Sequence, residues 1–307
     1  MIPDNGMNAP RPRMAAIGFF DGVHLGHRYL IEQVGREAAA RGYAPALVTF
    51  PTHPRKVINA GYTPELLTSC DEKIRLLEAA GAGCCLLLEF TPDMSRLTAY
   101  DFMRSVLKER YAIRGLVVGH DHRFGRNRSE GFDDYLLYGR ELGIEVIRAQ
   151  ALVTNGVTVS SSGIRRLLHA GDVALAARYL GYEYALEGTV TGGYRVGRTI
   201  GFPTANLQPD DPDKLIPADG VYAVRVTVGG AVYAGMMNIG RRPTLHNGCD
   251  RSLEVHILRF RADIYGCPIR IAFAGRIRSE KKFADKAQLA EQLAEDALAA
   301  SKLLLSL

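Results

Sequence analysis

Tryptophan is missing from this chain of 307 residues, and cysteine is scarce. The five thiols, Cys70, Cys84, Cys85, Cys249 and Cys267, are odd in number and never spaced as CxxC. That pattern supports neither a disulfide framework nor a cysteine-rich zinc site, and it fits a reducing, cytoplasmic compartment. Long apolar runs are missing too: none approaches the roughly 20 residues that a bilayer span needs, so no membrane partner is expected. Residues 1–13 are polar and proline-bearing, without the apolar centre of a secretory leader, and read as a flexible tail. Clusters of Lys and Arg with interleaved aromatics are also lacking. The net charge of +5 is spread over both halves, which argues against nucleic acid and leaves small anions as ligands. What is present, 47% hydrophobic and 23% charged residues, excludes disordered, collagen-like and coiled-coil classes. At roughly 150 residues per domain, the length predicts about two domains.

In the first half, short apolar runs alternate with helical patterns. Residues 14–19, 44–50, 84–90, 115–119 and 145–149 read as strands, and 25–41, 66–81, 97–110 and 131–142 as helices. This predicts parallel βαβ units in an open sheet, with a ligand at the carboxyl ends of the strands. Two short helices follow, 163–171 and 173–180, with Asp172 placed to cap the second. After Gly181 the pattern changes to strands at 185–191, 220–228, 231–239, 252–258 and 269–277. Five strands without helices predict a small antiparallel sheet or barrel, and Val228-Gly-Gly-Ala231 is a hairpin signal. An amphipathic helix at 285–304 closes the chain. The expected organisation is a tail at 1–13, an α/β domain at 14–184 and a second domain at 185–307.

Three constellations fall at the expected carboxyl edge of the first domain. Gly18-Phe-Phe-Asp21-Gly22-Val-His24-Leu-Gly26-His27 follows the first strand and opens the first helix. A helix start offers unpaired N–H groups and positive dipole charge to a phosphate. Gly22 and Gly26 let the backbone approach, and two imidazoles can stabilise charge that builds on an attacked α-phosphate. The plain alternative is a pair of surface histidines, and a metal reading lacks a third ligand. Ser160-Ser-Ser162-Gly-Ile-Arg165 places hydroxyls at a helix start and an arginine one turn in, suited either to capping or to phosphate oxygens. Gly119-His-Asp121-His122-Arg123-Phe124-Gly125 is a polar, cationic loop that can meet a base or a phosphate, or simply solvent.

In the second half, glycine is dense from Gly188 to Asn206. Residues 192–199 nearly form a P-loop, but Arg198 replaces its lysine, and Gly201 and Pro203 prevent a following helix. A glycine loop still lets N–H groups approach phosphates, and Thr204 and Asn206 offer oxygens suited to magnesium. The alternative is a glycine-rich hairpin. Glu254 and His256 share one face of a strand, and an outward-facing charge is the plain reading of Glu254.

Taken together, GFFDGVHLGH at 18–27, GHDHRFG at 119–125 and VSSSGIR at 159–165 resemble the adenylyltransferase module of the bifunctional riboflavin kinase/FMN adenylyltransferase family, the bacterial FAD synthetases. The segment from Thr49 through His53 to Arg55 is similar to that family's Phe-x-Pro-His-Pro. GRTIGFPTAN at 197–206 resembles the riboflavin kinase signature, and residues 238–244 and 253–256 also match. Ser162 stands where the family usually has Thr, His122 where it has Phe, and His120 where an acidic residue is common.

The resemblance implies a Rossmann-like nucleotidyltransferase domain followed by a riboflavin kinase β-barrel with a C-terminal helix. It implies ATP contacts from Gly18, Phe19, Gly26, Asp121, Ser161 and Ser162, with His24, His27 and Arg165 stabilising phosphate charge. His53, Arg123 and Phe124 take the flavin side. In the second domain it implies ATP at Gly192, Gly197, Arg198, Thr204 and Asn206, with Mg²⁺ on the last two. Glu254 becomes the base toward the ribityl hydroxyl, and Arg278 a flavin contact. The expected reactions use ATP to convert riboflavin to FMN and FMN to FAD, in a monomer or weak homo-oligomer. Two rivals stand beside this. One is a nucleotidyltransferase for another acceptor with an appended barrel, which the histidine motif alone permits. The other is a non-catalytic flavin- or RNA-binding module.

Overall fold

The computed structural model describes residues 11–59, 61–119, 122–154, 156–192, 201–243 and 249–305. Its backbone contacts divide the chain into two units, Met1–Ser161 and Ser162–Leu307.

The first unit is built on five parallel strands: β1 (Arg13–Ile17), β2 (Ala44–Thr49), β3 (Cys85–Leu87), β4 (Ile113–Val118) and β5 (Glu145–Arg148), in the order β3-β2-β1-β4-β5. Both faces are covered, so the central strands β1, β2 and β4 are largely apolar rather than alternating. Ala15 and Ile17 face one core with Val48, Leu86 and Phe102, while Met14 and Ala16 face another with Val34, Leu47 and Leu77. Gly115 sits beside Met14 in the β1–β4 pair, and a Cβ there would strike the Met14 Sδ and Cε. Order reverses between β1 and β4, so the switch point of the sheet lies between their carboxyl ends.

The crossing helices start and stop where local chemistry requires. The helix α1 (Leu25–Arg41) is capped by His24, whose Nδ1 accepts from the His27 N–H at 3.3 Å. A five-residue α2 (Pro54–Ile58) starts on Pro54 and is capped by His53. A capping box of Ser69 and Glu72 opens α3 (Cys70–Ala79). Ala99–Asp101 (α4) runs on into the wide π-helical turns of Phe102–Arg110, and α5 (Phe132–Leu142) precedes β5. A two-residue hairpin, β6 (Val153–Thr154) and β7 (Val157–Thr158), completes the unit.

Helix α6 (Ser161–Ala170) starts at its boundary, and α7 (Val173–Leu180) follows, with Asp172 accepting from the Leu175 N–H. Both run with the barrel in the division by contacts. The Ala218 N–H donates to the Leu168 carbonyl, and one Arg276 N–H donates to the Ala170 carbonyl. Six strands close the barrel in the order β10-β11-β12-β9-β8-β13. They are β8 (Ala185–Thr191), β9 (Ala205–Pro209), β10 (Gly220–Val228), β11 (Ala231–Pro243), β12 (Cys249–Ile257) and β13 (Pro268–Arg278). Gly229 and Gly230 turn the β10–β11 hairpin with φ of 56° and 81°, as a type I′ turn requires. Helix α8 (Lys286–Leu305) lays Leu293, Ala297 and Ala300 on Val221, Ala223 and Met236.

Several elements differ from the sequence expectation. The expected strand 84–90 is only three residues, because β3 is the sheet edge with β2 as its one neighbour. The barrel has a sixth strand, β9, where no strand was expected. Also unforeseen are α2 and the β6–β7 hairpin, and α6 begins at Ser161 rather than at 163. Arg13, placed with the tail by sequence, opens β1 and donates to the Tyr111 carbonyl at 2.8 Å. Cys70, Cys84, Cys85 and Cys267 are free thiols. Among the described residues no helix is long and apolar enough to cross a membrane.

Candidate active sites

At the end of β1 the chain makes a cramped turn. Phe20 and Val23 hold positive φ angles of 54° and 34° around Gly22 at 81°, conformations that cost about 1–3 kcal/mol each in a non-glycine residue and persist only where neighbours impose them. The neighbour here is a latch. The carboxylate of Asp21, 3% exposed, accepts from the Leu67 and Thr68 N–H groups at 2.9–3.0 Å and from the Thr68 hydroxyl at 3.2 Å. Thr68 Oγ1 in turn accepts from the Gly22 N–H at 3.1 Å, and the Ser161 hydroxyl donates to the Asp21 carbonyl at 2.9 Å. Asp21 therefore shapes the turn.

The two histidines stand on that turn as a stacked pair, rings 3.6 Å apart and 17° from parallel. His24 is buried as the helix cap. The His27 Nδ1 is buried without a hydrogen-bond partner among the described residues, and Phe20 meets the ring edge-on. Burial holds the His27 imidazole well below its ordinary pKa, and the charges of His24 and Lys73 push the same way. A Cβ on Gly26 would lie 3.1 Å from the Val159 carbonyl and 3.2 Å from the His24 ring, so glycine there permits the stack. A stacked imidazole pair, a helix start and a strained backbone turn thus meet at the switch point of the sheet, an arrangement that suits an anion.

Around it lies an aromatic group. His53 caps α2 through Nδ1 and places its ring 4.7 Å from Phe19 and 5.4 Å from Tyr62. Phe19 carries the buried Lys73 ammonium 4.0 Å above its ring. Phe124 stacks on Tyr135 at 4.2 Å, and its N–H and carbonyl are both tied to the Tyr135 hydroxyl, so one of its ring faces is committed to the protein. Arg123 is exposed. The neighbouring His122 hides its Nε2, and burial, with Arg128 nearby, lowers its pKa to about 4. Ser162 and Arg165 lie in the first turns of α6. Asp121 lies outside the described residues.

The second site is on the outer face of the barrel. In β12, Leu253, Val255 and Ile257 are buried in the barrel, and Glu254 and His256 alternate with them. Glu254 stands in register with Asn206 of β9 on one side and Asn238 of β11 on the other. Directly opposed residues share a face, so these three form a polar row. The Thr204 hydroxyl donates to Glu254 Oε2 at 3.1 Å. His256 Nδ1 lies 2.8 Å from the Pro203 carbonyl, a contact that needs the proton on Nδ1 and that anchors the start of β9. Two hollows meet at Thr204. One, of about 270 Å³, is lined by Glu254, Asn238, Arg278, Phe283, Met236 and Leu293, among others. The other, of about 500 Å³, is lined by Val190, Ile257, Phe260, Arg261, Asp263 and Tyr265 and does not reach Glu254. Arg278 is fixed at the first hollow by a bidentate pair with Asp296 at 2.7–2.9 Å; the Asp296 carboxylate is 1% exposed. Gly192 is exposed just past the end of β8. Gly197 and Arg198 lie outside the described residues.

The structure adds residues that sequence reasoning passed over: the latch function of Asp21, and Thr68, Lys73, Tyr62, Asn238 and Asp296. Lys73 had a signal, since it lies four residues before Leu77 on the buried face of α3. Asp296 gave none, because its partner Arg278 lies on another element, 18 residues away.

A family model described as FAD synthetase matches residues 7–163, and one described as riboflavin kinase matches residues 180–304. The bifunctional riboflavin kinase/FMN adenylyltransferase of Escherichia coli strain K12 is 38% identical over 288 residues, covering 92% of this chain and 90% of its own length. The protein of the same description from Bacillus subtilis strain 168 is 34% identical over 287 residues, covering 92% and 89%. A crystal structure described as a macrolide-efflux protein from Streptococcus pneumoniae superposes with a TM-score of 0.88 at 30% identity, covering 98% of each chain. That description belongs to the streptococcal protein, and what the superposition shares with it is the fold. With both family models matched in sequence and most of each relative covered, the chain belongs to the bifunctional riboflavin kinase/FMN adenylyltransferase family.

Proposed function

We propose that the two sites carry two successive ATP-dependent reactions, riboflavin to FMN at the barrel and FMN to FAD at the parallel sheet. The observation that carries the first is Glu254 in its row with Asn206 and Asn238, hydrogen-bonded to Thr204 where two hollows meet. A phosphoryl transfer needs its acceptor hydroxyl beside a base and its donor in line from the other side. Of these two hollows the smaller reaches Glu254, and its Phe202, Met236 and Phe283 suit a flat apolar ring, so riboflavin belongs there. The nucleotide takes the larger hollow. Glu254 receives the proton of the ribityl hydroxyl as that oxygen attacks the γ-phosphorus and ADP leaves. Arg278, held by Asp296, faces the flavin. The Thr204 hydroxyl and Asn206 amide, hard oxygen donors beside a carboxylate, fit Mg²⁺, which would neutralise the phosphates when bound.

At the sheet, an FMN phosphate oxygen attacks the α-phosphorus of a second ATP and pyrophosphate leaves. The Gly18–His27 turn cradles the phosphates, and His24 and His27 oppose the charge that builds on them. Ser161, Ser162 and Arg165 take the phosphate roles that the family resemblance implies. His53 and Phe19 offer ring faces to the flavin or adenine, with Arg123 at the rim. By chemistry the boundary falls at 184/185, which puts α6 with adenylyl transfer although the division by backbone contacts counts Ser162–Ala170 with the barrel. Free thiols fit a cytoplasmic enzyme. Purified protein given riboflavin, ATP and Mg²⁺ yields FMN and then FAD by chromatography. FMN without FAD would leave only the kinase half.

A further inference from the structure

Lys73 is the least expected charge in the molecule. It lies on α3 at 1% exposure, among the largest fully buried side chains. Its ammonium donates to the Phe50 carbonyl at 2.6 Å and sits 4.0 Å over the ring of Phe19. Among the described residues no carboxylate pairs with it. Asp21, which its charge feels, already accepts from Leu67 and Thr68. Taking an ammonium out of water without an ion pair costs several kcal/mol. A methionine would fill the same space without that cost, so packing alone does not account for a lysine.

Its two contacts explain the choice. Phe19 belongs to the turn after β1 that carries His24 and His27. Phe50 directly follows β2 and leads into Pro51-Thr52-His53. One side chain thus ties together the two loops at the carboxyl ends of neighbouring strands. Its charge also reaches His27, lowering the pKa of that imidazole after burial and His24 have done so. The titratable groups around it are Cys70 on its own helix, Asp21 after β1, Cys85 on β3 and His27 on α1.

We propose that Lys73 is a positioning residue for adenylyl transfer, a buried cation that locks the β1 and β2 loops in register and supplies positive charge behind the phosphate-binding turn. This rests on the reading of that turn as the FMN adenylylation site. A triphosphate brings several negative charges, and a desolvated cation attracts them more strongly than an exposed one can.

The test uses the full-length chain with Lys73→Met and Lys73→Gln, each assayed separately for FAD formation from FMN and FMN formation from riboflavin. The expected result is a fall of about tenfold or more in kcat/KM for ATP in adenylylation, with riboflavin phosphorylation unchanged. The His27 imidazole, followed by NMR, should titrate at higher pH in Lys73→Met at an unchanged melting temperature, whereas loosened packing would raise it only together with early melting. Unchanged adenylylation in both variants would overturn the proposal. So would loss of both activities together with early melting in both variants, which would make Lys73 a packing residue. Wild-type protein that makes FMN but no FAD would instead overturn the reading on which the proposal rests.

Discussion

Replacing Glu254 by glutamine removes one capability and little else. The amide keeps the length of the side chain, its place between Asn206 and Asn238, and an oxygen for the Thr204 hydroxyl now 3.1 Å from the carboxylate. What it loses is the capacity to take a proton. General-base assistance is worth roughly 10²–10⁴-fold, or about 3–5 kcal/mol of barrier at 1.36 kcal/mol per tenfold. Riboflavin phosphorylation by Glu254→Gln should therefore fall by roughly two to four orders of magnitude. The Thr204 contact is partly exposed and retained, so the melting temperature should hardly move. FMN adenylylation, in the other unit, should be untouched. Chromatography of products, with riboflavin and FMN supplied in separate reactions, reads both activities on one preparation. Phosphorylation within about threefold of wild type would refute the base assignment. Equal loss of both reactions would refute the division of labour between the units.

Three further outcomes are expected. Asp21→Ala leaves two backbone N–H groups and a threonine hydroxyl without their buried acceptor, so denaturant titration should show about 2–4 kcal/mol less stability, with loss of FAD formation. Asp296→Asn breaks the bidentate pair that fixes Arg278. Because this removes one partner of a buried pair, it should cost about 3–5 kcal/mol and raise the KM for riboflavin more than that for ATP. His122 is uncharged in the fold until about pH 4 but titrates near 6.5 in an unfolded chain. The unfolded state then binds the extra proton, and stability drops as the pH falls from 6.5 toward 4. The melting temperature of His122→Phe should decline less over that range than that of wild type.

Much of the frame was legible because it depends on local patterns. Apolar runs separated by helical periods announced a parallel sheet, and the Gly229–Gly230 pair announced the β10–β11 hairpin. The Gly22 and Gly26 spacing marked a turn that the structure places at the switch point. What escaped depends on partners far away in sequence. The stretch 205–209 alternates apolar and polar residues, but it is short, ends in proline and follows Gly201 and Pro203 closely, so its pairing with β8 and β12 shows only in the structure. Asp21 read as a turn residue, and its latch function needs Leu67 and Thr68, more than 40 residues on. Glu254 read plainly as an outward-facing charge, and it does lie on the outer face; its place between two asparagines needs the register. Phe124 was expected on the flavin side, and the stack with Tyr135 that occupies one of its faces is invisible without coordinates.

One side chain, Thr204, borders both hollows of the barrel and touches the carboxylate of Glu254. An inhibitor lodged in either hollow therefore presses against the same hydroxyl. Compounds that fill either hollow should share resistance mutations at this position, and two small fragments joined across it would form a single molecule reaching into both chambers.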